Sequence, residues 1–331
     1  MKKTVWGLGL VMALAWGAVS AQTLSLRERL QKPSAPAAAA DAPLTAGTHT
    51  LQVSAVGQER KVVVHVPASY DASRPMPLVL ALHGGGGWAE FMADDERYGL
   101  ISKADSAGFV VAFVNGYSKF PGGRFATWNA GGCCGDARDK NVDDVGLLRA
   151  VVARLKTQLN VDAARVYATG MSNGGMMSHR LACDAADVFA AIASVAGTDA
   201  TANCTPARPI AVLHIHAKDD DHVLFNGGAG PNAFRDESKV MNFVSVPETI
   251  ARWTQRDQCT GTAQRVLNTT GAYCERTTGC AGDAQVQMCV TELGGHSWPG
   301  AQKVRRGKEA ASQALSANDV IWDFFKAHSL R

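Results

Sequence analysis

Four things are missing from this sequence: a C-x-x-C pair, a block of like charges, an internal repeat, and any long apolar run beyond the N-terminus. The first absence, with the irregular cysteine spacing, argues against a zinc finger. The second leaves 33 Lys and Arg against 30 Asp and Glu, a formal charge of +3 that falls to +1 once Lys2 and Lys3 are set aside. A chain so balanced offers neither a nucleic-acid footprint nor a membrane-surface stripe. With no repeat there is no solenoid, and with no second apolar run there is no spanning helix.

The N-terminus carries Lys2, Lys3, an apolar run Val5 to Ala18 and the small-residue exit Val19-Ser20-Ala21. This predicts a secretory signal over residues 1–21, because the run is shorter than the ~20 residues a membrane span needs. The expected protein is exported, extracellular or periplasmic. All eight cysteines follow the signal, and an even count in an exported chain predicts a disulfide framework. Spacing groups Cys133 and Cys134 with Cys183 and Cys204, and leaves Cys259, Cys274, Cys280 and Cys289 to pair among themselves. Adjacent cysteines rarely bond each other, so Cys133 and Cys134 are each expected to reach a distant partner.

Residues 22–47 contain KPSAPAAAADAP, too poor in apolar variety for a core, and are expected to be a linker or disordered lead-in. Alternating Leu51, Val53, Ala55 and Val62, Val64, Val66 predict an edge hairpin. The apolar runs Leu78 to Leu82, Phe109 to Val114, Ala190 to Val195 and Ile210 to Ile215 read as strands buried on both faces. Helical patterns lie between them, at Glu90 to Ala107 and Val145 to Leu159, and later at Glu248 to Gln255 and Ala317 to Ala327. Val266 to Tyr273 and Gln285 to Leu293 read as further strands. The sum is an α/β fold over residues 48–331, one domain with a mainly parallel sheet covered by helices on both faces.

Arg165 to Gly175, RVYATGMSNGG, runs from a strand through G-x-S-x-G into a helical pattern, the context of a nucleophile elbow. Ser172 is the expected nucleophile. A serine hydroxyl needs a base and an acid to orient that base, and on the α/β-hydrolase fold they follow in the order serine, acid, histidine. The strand ending at Ile215 runs into His216-Ala217-Lys218-Asp219-Asp220-Asp221-His222, where ligands of open α/β sheets bind. Asp220 is favoured as the acid, with Asp221 and Asp219 as alternatives. His296, on a loop flanked by Gly294 and Gly295, is the base, and His222 is its rival. His214 and His216 share one strand face and could imitate a metal site, but a serine constellation already accounts for the region, so no metal and no cofactor are expected. Oxyanion donors should be the amides of Asn173 and, from the His83 to Gly87 loop, Gly85 or else Gly84. Trp298 and Trp128 sit beside these loops and are candidate substrate-binding walls.

The segments LVLALHGGGG, WNAGGCCG, VDDVG, RVYATGMSNGGMM, RLAC, FAAIASVAG and GGHSWPG together span Leu78 to Gly300. In them the chain resembles the secreted esterase family that includes poly(3-hydroxybutyrate) depolymerases and bacterial feruloyl and acetylxylan esterases. The resemblance implies a Ser172, Asp220, His296 triad and ester hydrolysis through an acyl-enzyme. It also implies disulfides from Cys133 or Cys134 to Cys183 and from Cys259 to Cys280; Cys274 and Cys289 stand outside the family pattern. Around the acid the family's H-G-x-x-D-x-x-V-P-Y becomes HAKDDDHVLF, which changes the lip of the site. The expected partner is an ester substrate, feruloyl or acetyl groups on plant polysaccharide fragments, with polyhydroxybutyrate as the alternative. A non-catalytic binding protein and a peptidase are rivals from other classes.

Overall fold

The computed structural model describes residues 42–233, 241–304 and 310–330. The expected signal, residues 22–41 of the lead-in, and part of the loop after Phe225 lie outside the described residues. Ten strands form one sheet: β1 (Gly47–Ala55), β2 (Gln58–Val66), β3 (Met76–Leu82), β4 (Val110–Val114), β5 (Val161–Met171), β6 (Ala191–Val195), β7 (Ala211–Ala217), β8 (Gln264–Thr269), β9 (Ala272–Thr277) and β10 (Val286–Thr291). Their order is β1-β2-β4-β3-β5-β6-β7-β10-β9-β8. The six central strands from β4 to β10 are parallel, and an antiparallel pair flanks them on each side.

The apolar runs explain the layering. In β3, Leu78, Leu80 and Leu82 face one core with Leu148, Leu155 and Met176, while Val79 and Ala81 face another with Phe113, Phe324 and Phe325. A strand buried on both sides cannot alternate apolar with polar, which is why these segments are continuous. Each fully buried leucine contributes roughly 2 to 3 kcal/mol of apolar transfer. The covering helices are α1 (Leu100–Ala107), α2 (Asp144–Gln158), α3 (Asn173–Asp184), α4 (Val246–Arg256) and α5 (Ala317–Phe325). Side-chain caps start three of them: Asp143 accepts from the Gly146 amide, Ser245 from Glu248 and Ser316 from Asp319.

Two expected elements are divided. The helix foreseen over Glu90 to Ala107 is two short turns, Ala89–Met92 and Asp95–Tyr98, followed by α1, because Gly99 adopts φ 61° and ends the second turn. The strand foreseen over Val266 to Tyr273 is the β8–β9 hairpin, turning at Gly271 with φ 85°. Cysteine pairing corrects the sequence reading at one point. Cys133 and Cys134 are joined to each other across a cis peptide. The partner expected for one of them, Cys183 at the end of α3, is taken by Cys204, which the loop after β6 brings to a Cα separation of 5.1 Å. Cys259 pairs with Cys280, and Cys274 with Cys289, which are opposite each other in the β9–β10 register.

Candidate active site

Ser172 sits between β5 and α3 with φ 55° and ψ −122°, a conformation that costs a non-glycine residue energy and needs its surroundings to hold it. The holding is steric. A Cβ on Gly170 would lie 2.5 Å from the Gly174 carbonyl carbon, and one on Gly174 would collide with the Leu82 carbonyl oxygen. Glycine at both positions lets the turn close against the end of β3, and the Ser172 amide donates to the Val195 carbonyl at 2.8 Å to pin it to β6. The helix that follows starts at Asn173, whose amide has no intrahelical acceptor and therefore is available at the Ser172 turn.

Across from Ser172 lies the loop after β3. The Gly86 amide donates to the Ala126 carbonyl and the Gly87 amide to Gly84, whereas the Gly85 amide has no main-chain acceptor among the described residues. His83, which the sequence reading did not single out, shapes this loop. It is fully buried; its Nδ1 donates to the Gly84 carbonyl and its Nε2 accepts from the Gly116 amide, each at 2.9 Å, which fixes its tautomer. Trp128 is fully buried too and does not line the cavity. Its indole Nε1 donates to the His83 carbonyl at 3.0 Å, and its backbone exchanges two hydrogen bonds with the Asn173 side chain. Its place is behind the site, bracing the Gly84–Gly85 loop against the Ser172 turn.

The three aspartates after β7 divide their tasks. Asp220, 2 % exposed, turns inward. Its Oδ1 accepts from the His222 and Val223 amides at 2.8 and 2.9 Å, and its Oδ2 from His296 Nδ1 at 2.8 Å, with His216 Nε2 at 3.3 Å. Burial alone would raise its pKa, but the facing His296 and His216 outweigh it and hold the carboxyl well below the usual range. Asp219 accepts from the Gly294 and Gly295 amides at 3.2 and 2.8 Å, fixing the loop that carries His296. Asp221 accepts from His222 Nδ1 and from the Asn232 amide group.

Behind Asp220 the strand histidines bond one another. His216 Nε2 donates to the Val223 carbonyl at 2.8 Å, so its Nδ1 accepts from His214 Nε2 at 3.0 Å. Burial depresses the His214 pKa well below its ordinary value, and His216 beside it adds to the effect. His179 on α3 stacks near His214 and accepts from Trp253 Nε1 at 2.9 Å; burial lowers its pKa to about 4. Both nitrogens of His216 and Nε2 of His214 are thus engaged within this buried array, while His214 Nδ1 is buried without a hydrogen-bond partner among the described residues. Among the described residues one group has metal-like spacing, Asp220, His222 and His296, with ligand atoms within 4.8 Å of one another; Nδ1 of each imidazole faces a carboxylate.

Ser172, His296, Gly84, Gly85 and His222 open on a common cavity of about 210 Å³. Phe91, Tyr98 and Trp298 form its aromatic wall; Tyr98 meets Phe91 and Trp298 edge-on, at 6.0 and 5.5 Å between centroids. Trp298 Nε1 is anchored to Asn318 Oδ1 at 3.0 Å, so its ring is fixed. The arrangement places a strained serine and an imidazole aligned by a buried carboxylate on one cavity, with the Asn173 amide and the Gly85 amide in the segments beside them.

A family model described as esterase PHB depolymerase matches residues 61–280. Feruloyl esterase B of Piromyces equi is 32 % identical over 276 residues, 82 % of this chain and 46 % of the relative. Feruloyl esterase C of Emericella nidulans is 32 % identical over 174 residues, 51 % of this chain and 58 % of the relative. The chain therefore spans about half the length of these two relatives. In fold it is similar to an acetyl xylan esterase from Aspergillus awamori, with a TM-score of 0.56 and 14 % identity over 84 % of this chain and 99 % of that one.

Proposed function

The chain belongs to the esterase PHB depolymerase family, and from that premise we propose that it is a serine carboxylic-ester hydrolase working through Ser172, His296 and Asp220. The observation that carries this reading is the meeting of Ser172, held at φ 55°, and His296, whose Nδ1 is bonded to buried Asp220, on one cavity. Ser172 Oγ attacks the ester carbonyl while His296 Nε2 takes its proton. Asp220 keeps Nδ1–H in place and stabilises the imidazolium that forms. The Asn173 and Gly85 amides stabilise the tetrahedral oxyanion, each worth about 3 kcal/mol. The imidazolium then protonates the leaving alcohol, and water repeats the sequence on the acyl-enzyme to release the acid.

The substrate reading is a feruloyl or acetyl ester of plant polysaccharide fragments. Phe91, Tyr98 and Trp298 along the cavity support an aromatic acyl group over an acetyl group, since flat rings pack edge-on and offset against such a wall. The matched family's own description favours a second reading, short polyhydroxyalkanoate oligomers. We further propose that residues 48–331 act as one catalytic domain and that the chain is exported; among the described residues no helix is long and apolar enough to cross a membrane.

Hydrolysis of methyl ferulate, acetylated xylan and poly(3-hydroxybutyrate), measured side by side, decides between the substrates. Ser172→Ala in the same assays should lower kcat about 10⁴-fold or more. Turnover that survives this substitution would overturn the mechanism.

A further inference from the structure

Two imidazole–carboxylate pairs stand side by side in this cavity. His296 is bonded through Nδ1 to Asp220, and His222 through Nδ1 to Asp221, the next residue along. The two rings are stacked, with centroids 4.4 Å apart and an interplanar angle of 11°, and both line the cavity with Ser172. A residue needed only to close a surface loop has no reason to present a carboxylate-anchored ring parallel to the catalytic base. We propose that His222 is a positioning residue for His296, which fixes the plane of its ring. This rests on the ester-hydrolase reading of Ser172 and His296.

The stack acts at the moment of proton transfer. When Ser172 surrenders its proton, the imidazolium of His296 lies against the face of a neutral aromatic ring, a favourable contact that is absent before proton transfer.

The test is kcat and KM for p-nitrophenyl acetate at pH 8 for the parent protein, His222→Ala and His222→Phe, with Ser172→Ala as the control. His222→Ala removes the ring and should lower kcat about tenfold with KM within about twofold. His222→Phe keeps an aromatic face against His296 and should restore most of that loss. An unchanged kcat in His222→Ala overturns the proposal, as does a phenylalanine variant as impaired as the alanine one. If the alanine variant does not fold, His222→Leu, which removes the aromatic face and keeps the bulk, takes its place in the comparison. Activity surviving in Ser172→Ala is a different failure, because it removes the ester-hydrolase reading itself.

Discussion

The turn at Ser172 and the loop Asp219 to His222 both lie at C-terminal ends of central strands, yet they are held in opposite ways. The turn is held by backbone pressed against backbone: Gly170, Gly174 and Gly197 all sit where a Cβ would meet a carbonyl group of a neighbouring segment. The loop is held by charge, with three consecutive carboxylates each accepting from a different set of donors. A steric device tolerates one residue type and leaves its mark in the sequence as a glycine pattern. An electrostatic device depends on which oxygen faces which donor, and three adjacent aspartates look alike until the chain is folded.

The sharpest break in that comparison comes from Asp220→Asn. The amide removes the charge that stabilises the imidazolium and presents an N–H to His296 Nδ1, which forces the wrong tautomer. We expect kcat to fall about 10³- to 10⁴-fold with the fold intact, as measured by steady-state kinetics and circular dichroism. A loss of less than tenfold would move the acid to Asp219 or Asp221. Next in size is Gly174→Ala, which attacks the steric device. Its Cβ would meet the carbonyl oxygens of Leu82 and His83, which are backbone and cannot swing aside. The expected cost is about 3 kcal/mol or more, read from urea denaturation; a variant as stable as the parent would show that the turn relaxes freely.

The same distinction explains how much could be read before folding. The βαβ alternation, the doubly buried strands and the Ser172 turn follow from apolar runs and glycine spacing; chain order points to His296 and to an acid among Asp219, Asp220 and Asp221, and only the fold shows which of the three faces His296. The two divided elements were missed because the residue that breaks each, Gly99 or Gly271, is a lone glycine within an otherwise periodic segment. His83 was missed because its role is to accept the amide of Gly116, which is distant in sequence, and to donate to the carbonyl of its own neighbour Gly84, and neither leaves a residue pattern. Trp128 was placed on the wrong side of its loop: adjacency to a catalytic segment says nothing about whether a side chain faces the cavity or the core. The Cys133–Cys134 bond escaped because Cys204 was free to claim Cys183 once the loop after β6 folded back.

A third prediction concerns the buried histidines that extend the electrostatic side of the comparison into the core. His179 is held at a pKa of about 4 by burial, whereas the unfolded chain takes up that proton near 6.5. Its depressed value means that the unfolded state binds more protons as the pH falls, so stability is full above about 6.5 and declines towards 4. Asp257, raised by burial to about 7, and Asp144, raised to about 6, work in the opposite sense. The comparison with His179→Gln isolates the histidine, since glutamine still accepts from Trp253 Nε1. The parent should lose about 1.5 kcal/mol more than the variant between pH 6.5 and 5, measured by urea unfolding at each pH. Equal slopes would mean that His179 gains a proton within the fold.

The smallest effect is the most specific to the loop. Asp219 touches neither the serine nor the base, but the two amides it accepts, Gly294 and Gly295, are buried and immediately precede His296. Asp219→Ala orphans both, which costs about 1 kcal/mol of stability, and frees the base from its alignment with Asp220. kcat should fall about fivefold to tenfold with KM unchanged. Asp219→Asn keeps an acceptor oxygen and should restore most of that loss, which a through-space charge effect would not do. If alanine and asparagine are equally impaired, it is the negative charge near His296 that matters and not the anchoring of its loop, and the separation of tasks among the three carboxylates fails at this residue.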